Sequence, residues 1–327
     1  MTVLVLIHSP FRMWNIPAEH VVRLQREHPQ HTFLHARDDD EGLRLISGAA
    51  VAFSSQINRD HLAAASRLRW IHSPAAGVGG MLYPEMVASP VVVTNSRGLA
   101  AETIAEHVLA VTLALFRRLP LAIRRQHDRM WAQDEISSPP GNRALAGSRV
   151  LMVGLGAIGT ATARRMQALG ATVTAIRRNA AAPVPQGVSA VRPPDELLVA
   201  LADADVVVIA APHTALTRGL IGERELATMK RDAVLVNISR GSLVDEQALA
   251  AALRAGRLAA AALDVFRHEP LTPDSALWDV PNLLITPHTS GFRPDHWDAA
   301  TNLFAENLRR FDRGDALINV VDKEAGY

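Results

Sequence analysis

The sequence predicts an α/β protein with parallel sheets, long enough for two domains. Three observations carry this. Short Val/Ile/Leu runs alternate with longer Ala/Leu/Arg-rich segments of helical spacing, the pattern of parallel strands joined by crossover helices. A strand, a glycine loop and a helix follow one another in VLMVGLGAIGTATARRMQALG, residues 150–170. The 327 residues suffice for two domains at roughly 150 residues each.

The elements follow in order. Residues 3–7, VLVLI, form a first strand, and 17–28 a helix with Pro17 at its start, where a missing N–H costs nothing. Further strands are expected at 50–53, 70–72 and 91–94, with a helix at 59–67. This α/β unit ends near residue 98. A long amphipathic helix spans 101–118, with Glu102 and Glu106 near its positive N-terminal end. Residues 119–147, with Trp131, Pro139 and Pro140, are less regular and suit a linker, a lid or a subunit contact. Strands are then expected at 150–153, 172–176, 206–210, 234–237, 258–263 and 283–286, with helices between. A final helix over 294–313 and a short strand at 318–321 return to the first unit. The expected domains are therefore 1–98 plus 292–327, and 99–291.

Composition excludes several classes. The chain is 48% hydrophobic and 20% charged, a globular balance. Lys and Arg number 34 against 33 Asp and Glu, so the excess of positive charge expected of a nucleic-acid binder is missing. With 0 Cys there is no disulfide, thiolate metal site or Cys nucleophile, which fits a cytoplasmic location. MTVLVLIHSP lacks a positive n-region and reads as a strand, not a signal peptide. The best apolar run, 108–116, is shorter than the ~18 residues a membrane span needs, so no membrane partner is expected. Asp38, Asp39, Asp40 and Glu41 read as a solvated helix start. His28, His31 and His35 lack ligand spacing. No metal is expected.

The glycine loop carries the first chemistry. Gly154 permits the tight turn, Gly156 lets a pyrophosphate approach the backbone, and Gly159 lets helix and strand pack closely. The helix N-terminus, Ala157 and Ile158 included, offers free N–H groups and the positive end of its dipole. The fold is therefore Rossmann-like. A dinucleotide site for NAD has Asp or Glu at the end of the next strand, whereas this chain has Arg177 and Arg178. A guanidinium pairs with a 2′-phosphate, so NADP(H) is the expected cofactor, with NAD(H) possible.

Three polar residues then stand at the ends of successive strands, where open α/β sheets bind ligands. They are Arg240 in NISRGSL, Glu269 in DVFRHEPL and His288 in TPHTSG. Arg holds a carboxylate bidentately. His delivers a proton near neutral pH. Glu orients that His and favours its imidazolium form.

The strings LAGSRVLMVGLGAIG, APHTALTRGLIG, LVNISRGSLVDEQAL, AALDVFRHEPL and NLLITPHTSG, in this order, resemble the D-isomer-specific 2-hydroxyacid dehydrogenase family, most of all its glyoxylate/hydroxypyruvate reductase branch. The resemblance covers nearly the whole chain and is densest over 145–291. It implies that Arg240 binds the substrate carboxylate and carbonyl. His288, paired with Glu269, would be the proton donor in reduction, and the product an R-configured hydroxy acid. It places Asp264 on the nicotinamide carboxamide and Thr103 near the cofactor. Pro212, His213 and Thr217 fall in the loop lining its nicotinamide or adenosine side, with Ile238, Ser290 and Gly291 completing the cofactor set. HSPAAGVGG resembles the loop whose amides receive the substrate carboxylate, here Ala76 and Gly77. Trp297 either shapes the substrate pocket or anchors the last helix. The resemblance implies two Rossmann-like doubly wound parallel-sheet domains with the active site in the cleft between them, 1–98 plus 292–327 for the substrate and 99–291 for the dinucleotide, and a homodimer. The same fold also builds dinucleotide-sensing corepressors that retain the triad, and that reading stays open beside an enzyme acting on another small acid.

Overall fold

A computed structural model of the chain describes residues 1–138 and 142–326. Pro139, Pro140, Gly141 and Tyr327, which fall in the stretch expected to be irregular and in the returning tail, lie outside the described residues. The chain divides into two compact units, Met1–Leu99 with Arg293–Tyr327, and Ala100–Phe292.

The first unit is built on five parallel strands: β1 (Thr2–Leu6), β2 (Thr32–Ala36), β3 (Val51–Ser54), β4 (Trp70–Ser73) and β5 (Val92–Asn95). They lie in the order β2-β1-β3-β4-β5. The central strands are near-continuous apolar runs because both faces of a parallel sheet are covered. Val3, Leu4, Val5 and Leu6 are all buried. On one face the helix His296–Arg313 lays Phe304 flat on Phe53, with ring centroids 4.4 Å apart, and against Trp70 at 5.4 Å. The expected solvated acidic turn is the start of helix Asp39–Leu45, whose N-cap Asp38 accepts the Glu41 N–H at 2.7 Å.

The second unit carries seven parallel strands: β6 (Arg149–Val153), β7 (Thr172–Ile176), β8 (Ala190–Arg192), β9 (Val206–Ile209), β10 (Val234–Asn237), β11 (Ala260–Leu263) and β12 (Leu283–Ile285). Their order is β12-β11-β10-β9-β6-β7-β8. The chain reverses its direction of travel across the sheet between β6 and β9, the switch point where such sheets leave a crevice. The helix Ala101–Phe116 buries Ala105, Val108, Val111, Thr112 and Phe116.

Four details differ from expectation. Strands β2 and β8 are edge strands whose partly exposed sequences, TFLHA and AVR, carry no continuous apolar run. Residues 119–147 hold two helices, Leu119–His127 and Gln133–Ser137. Neither has a buried residue, so no apolar stripe announces them. The tail forms a single bridge, Thr94 to Val320, instead of a strand, because Asn319 takes a left-handed φ of 59° that breaks the ladder. The 101–118 helix stops at Phe116, with Arg118 left-handed at φ 53°. Among the described residues no helix is long and apolar enough to cross a membrane.

Candidate active site

The glycine loop sits at the switch point of the second unit. Gly154 has φ +100°, and a Cβ there would lie 2.5 Å from the Ala211 N, so the loop leaving β9 crosses directly over it. Among the described residues, nothing beyond its chain neighbours lies within 4 Å of a Cβ built on Gly156, which leaves room for a phosphate. Gly156 also N-caps the helix Ala157–Ala168 without a side-chain bond, so the first N–H groups of a twelve-residue helix face outward uncapped. This cradle fits the pyrophosphate of a dinucleotide.

The end of β7 places both arginines on the loop that follows. Arg177 donates through Nε to the Asn179 carbonyl at 2.8 Å, and through an Nη to the Ala182 and Pro183 carbonyls. It shapes the loop. Arg178 is exposed beside it.

The catalytic candidates meet at the ends of β10, β11 and β12. The turn after β10 is fixed by Asn237, whose Nδ2 donates to the Arg240 carbonyl at 3.0 Å and whose Oδ1 accepts the Ser239 N–H. A Cβ on Gly241 would sit 1.9 Å from the Phe266 carbonyl carbon. Only glycine lets segment 266–267 cross here, and the crossing brings Glu269 into the field of Arg240. Glu269 accepts the Phe266 N–H through Oε1 at 2.8 Å, and its Oε2 lies 2.6 Å from the His288 Nδ1. Burial alone would raise the Glu269 carboxyl. Hydrogen bonds from His288 and the Phe266 N–H, with the charges of His288 and Arg240, outweigh it and hold the group below the usual carboxylate range. His288 itself has φ +53°, a conformation that costs a non-glycine residue about 1–3 kcal/mol and gathers at functional sites.

Asp264 holds that backbone in place. It is 1% exposed. Its Oδ1 accepts the Thr286 hydroxyl at 2.6 Å and the Thr289 N–H at 2.9 Å, and its Oδ2 accepts the Ser290 N–H at 3.0 Å. Its carbonyl accepts the His288 N–H at 2.9 Å. Asp264, placed on the cofactor by resemblance, is thus buried as the clamp of the 286–290 turn. Beyond it, His107 Nε2 lies 3.3 Å from the Thr286 Oγ1, and burial holds the imidazole below its ordinary pKa against the opposing charge of Asp264. Sequence reading missed Thr286 and His107. The segment AETIAEH drew attention only for Thr103, and nothing local pairs His107 with a residue so far along the chain.

The remaining residues fall as follows. Pro212 and His213 are exposed on the loop after β9. Thr217 closes that loop, donating to the Pro212 carbonyl at 2.7 Å and accepting the Thr214 N–H at 2.8 Å. Ile238 and Ser290 are buried. A Cβ on Gly291 would lie 3.6 Å from Ala100 and 3.7 Å from Ile104, the residue that follows Thr103. In the first unit, Ala76 and Gly77 are exposed in the loop after β4. Trp297 donates from Nε1 to the Met13 carbonyl at 3.0 Å and meets His296 edge-on, which anchors the last helix.

A seven-stranded parallel sheet with a glycine loop at its switch point and a Glu–His pair at neighbouring strand ends defines a dinucleotide-dependent oxidoreductase. Residues 109–290 match the model of the D-isomer specific 2-hydroxyacid dehydrogenase NAD binding domain, and the chain belongs to that family. It is 34% identical over 271 residues to a glyoxylate reductase of Korarchaeum cryptofilum, covering 82% of this chain and 80% of that one. Among solved structures it resembles a D-isomer specific 2-hydroxyacid dehydrogenase of Xanthobacter autotrophicus in complex with NADPH and MES. That match has 29% identity and TM-score 0.84 over 100% of this chain and 99% of the other. It also resembles an NADPH-dependent glyoxylate/hydroxypyruvate reductase of Sinorhizobium meliloti in complex with NADP and sulfate, at 26% identity and TM-score 0.84 over 100% and 99%.

Proposed function

We propose that this chain reduces a small 2-keto acid of the glyoxylate or hydroxypyruvate kind to the D-(R)-2-hydroxy acid, with NADPH preferred over NADH. The observation that carries the reading is the 2.6 Å contact of His288 Nδ1 with Glu269. A carboxylate only accepts, so Nδ1 is the donor there and Nε2 is left to serve the substrate.

In this reading the first unit is the substrate domain and the second the dinucleotide domain. Arg240 and the amides of Ala76 and Gly77 receive the substrate carboxylate, and Arg240 also draws charge onto the carbonyl oxygen. His288 gives its Nε2 proton to that oxygen as it becomes an alkoxide, a role worth about 10²–10⁴-fold. Glu269 steadies the imidazolium. When bound, the dinucleotide supplies the hydride that C2 receives. Gly154, Gly156, Ala157, Ile158 and Gly159 hold its pyrophosphate. Arg178 takes the 2′-phosphate, on a loop that Arg177 shapes. The reading includes a cytoplasmic homodimer. The exposed apolar side chains Leu119, Ile123, Met130 and Trp131, which is 92% exposed, offer surface for a second copy.

The test follows NADPH and then NADH consumption against a panel of small 2-keto acids, with His288→Ala as control. Turnover with NADPH that disappears in the control supports the reading. Tight NADP binding without turnover on any keto acid sinks it and favours a dinucleotide-sensing role.

A further inference from the structure

We propose that Asn95 is the positioning residue of the substrate-carboxylate loop, and that Asn319 near the end of the chain holds Asn95 in place. The inference rests on the reading that Ala76 and Gly77 receive the carboxylate, and it deepens that reading. It starts from two adjacent carbonyls. The Ala75 carbonyl accepts the Ser96 N–H at 3.1 Å, and the Ala76 carbonyl accepts the Asn95 Nδ2 at 2.7 Å. In a trans peptide the carbonyl and the following N–H point opposite ways. Drawing both carbonyls onto the end of β5 therefore turns the Ala76 and Gly77 N–H groups the other way. Among the described residues neither N–H has an acceptor, and both residues are exposed. Two adjacent free amides on one side of a loop are an anion receptor.

Asn95 is itself held rigidly. It is 1% exposed. Its Oδ1 accepts the Arg97 N–H at 3.3 Å, which fixes the amide orientation and sends Nδ2 to Ala76. Its backbone N–H donates to the Asn319 carbonyl at 3.2 Å. Asn319 Nδ2 returns bonds to the Asn95 carbonyl at 3.1 Å and the Arg97 carbonyl at 3.0 Å. The left-handed φ of 59° at Asn319 is the backbone form that lets one residue meet β5 with both main chain and side chain. A second support, from Ser96 Oγ to the Ser73 carbonyl at 2.9 Å, keeps the start of the loop in place.

The test compares wild type with Asn95→Asp, which keeps the shape and loses the donor, and Asn95→Ser, which lacks the reach. Asn319→Gly keeps the left-handed backbone and removes the side chain, and it carries the test should the Asn95 variants fail to fold. Two quantities are read: KM and kcat for glyoxylate with NADPH, and the Kd of oxalate by calorimetry with and without NADP. The expected result is about a tenfold or greater rise in both KM and oxalate Kd, from loss of one hydrogen bond at an anion site. The NADPH affinity should move little, the melting temperature of Asn95→Ser should fall with the loss of two side-chain bonds, and Asn319→Gly should shift KM the same way by less. Folded variants with wild-type KM and oxalate affinity overturn the proposal. So does a loss of kcat and NADP binding with KM unchanged, which marks a general structural role. A wild type that binds oxalate and loses it on Asn95→Ser, yet reduces no 2-keto acid, upholds the loop inference and overturns the proposed reaction.

Discussion

Glu269 fixes the tautomer of His288: with Nδ1 committed to Oε2 at 2.6 Å, a single ring nitrogen remains for chemistry. Glu269→Gln keeps the size and can still accept at its amide oxygen, but it removes the negative charge that faces Nδ1. A charge-assisted bond is worth about 1.5–3 kcal/mol, so kcat for keto-acid reduction should fall roughly 10- to 150-fold, with KM for NADPH unchanged. Steady-state kinetics at neutral pH checks this. Because the folded pKa of Glu269 is depressed, its contribution to stability is full above the unfolded value near 4.5. It is lost only as pH falls through the lower folded value.

The Asp264 clamp offers a separate test. Asp264→Ala leaves the Thr286 hydroxyl and two N–H groups without acceptors, each costing about 1–3 kcal/mol. Chemical denaturation should show a large loss of stability. Thr286→Val removes only the link to His107 and one bond to Asp264, and should lower kcat several-fold with a modest fall in melting temperature. A Thr286→Val enzyme with full kcat would show that the His107 branch does not reach the catalytic turn.

The proposed reading gives the 2′-phosphate to Arg178. Arg178→Ala should weaken NADPH roughly 10- to 150-fold by loss of one charge-assisted contact, leaving NADH nearly unaffected. Titration of both cofactors by fluorescence reads the ratio. An unchanged ratio would exclude Arg178 as the source of the preference.

The first unit should be acid-sensitive through His72. Complete burial pushes its imidazole down to about 3 from 6.5, between the Thr94 Oγ1 at 2.7 Å and the Ser96 Oγ at 3.4 Å. The folded state keeps it neutral, while the unfolded chain binds a proton below about 6.5, so stability is full above that pH and falls steadily toward 3. The slope from this one group approaches 1.4 kcal/mol per pH unit, or roughly that order. Denaturation midpoints measured across this range should show it, and His72→Gln should flatten the curve.

How far the sequence foretells these arrangements depends on the range of the forces. Central strands such as β1 and β9 are legible because burial on both faces writes an unbroken apolar run. The edges β2 and β8 are half-covered and therefore quiet. The order of strands is decided by crossovers that no local pattern records. Arg240, Glu269 and His288 stand out because each sits in a string that resembles the family and is a residue type that carries a charge or a proton. Asn95 and Thr286 also end apolar strands, but an amide and a hydroxyl there read as ordinary strand ends, and His107 lies inside a helix; only tertiary contact gives them partners, Asn319 for Asn95 and Thr286 for His107.

Phe304 lies flat on Phe53 and beside Trp70, and this has a consequence for how the molecule is born. On the ribosome the two earlier rings emerge roughly 230 residues before their cover, on the order of 10–50 s of synthesis. For that interval a nascent sheet shows bare aromatic surface while the whole second unit is being made. The final helix thus acts as a late keystone. Stalling translation before it emerges should leave an N-terminal region that holdase chaperones grip.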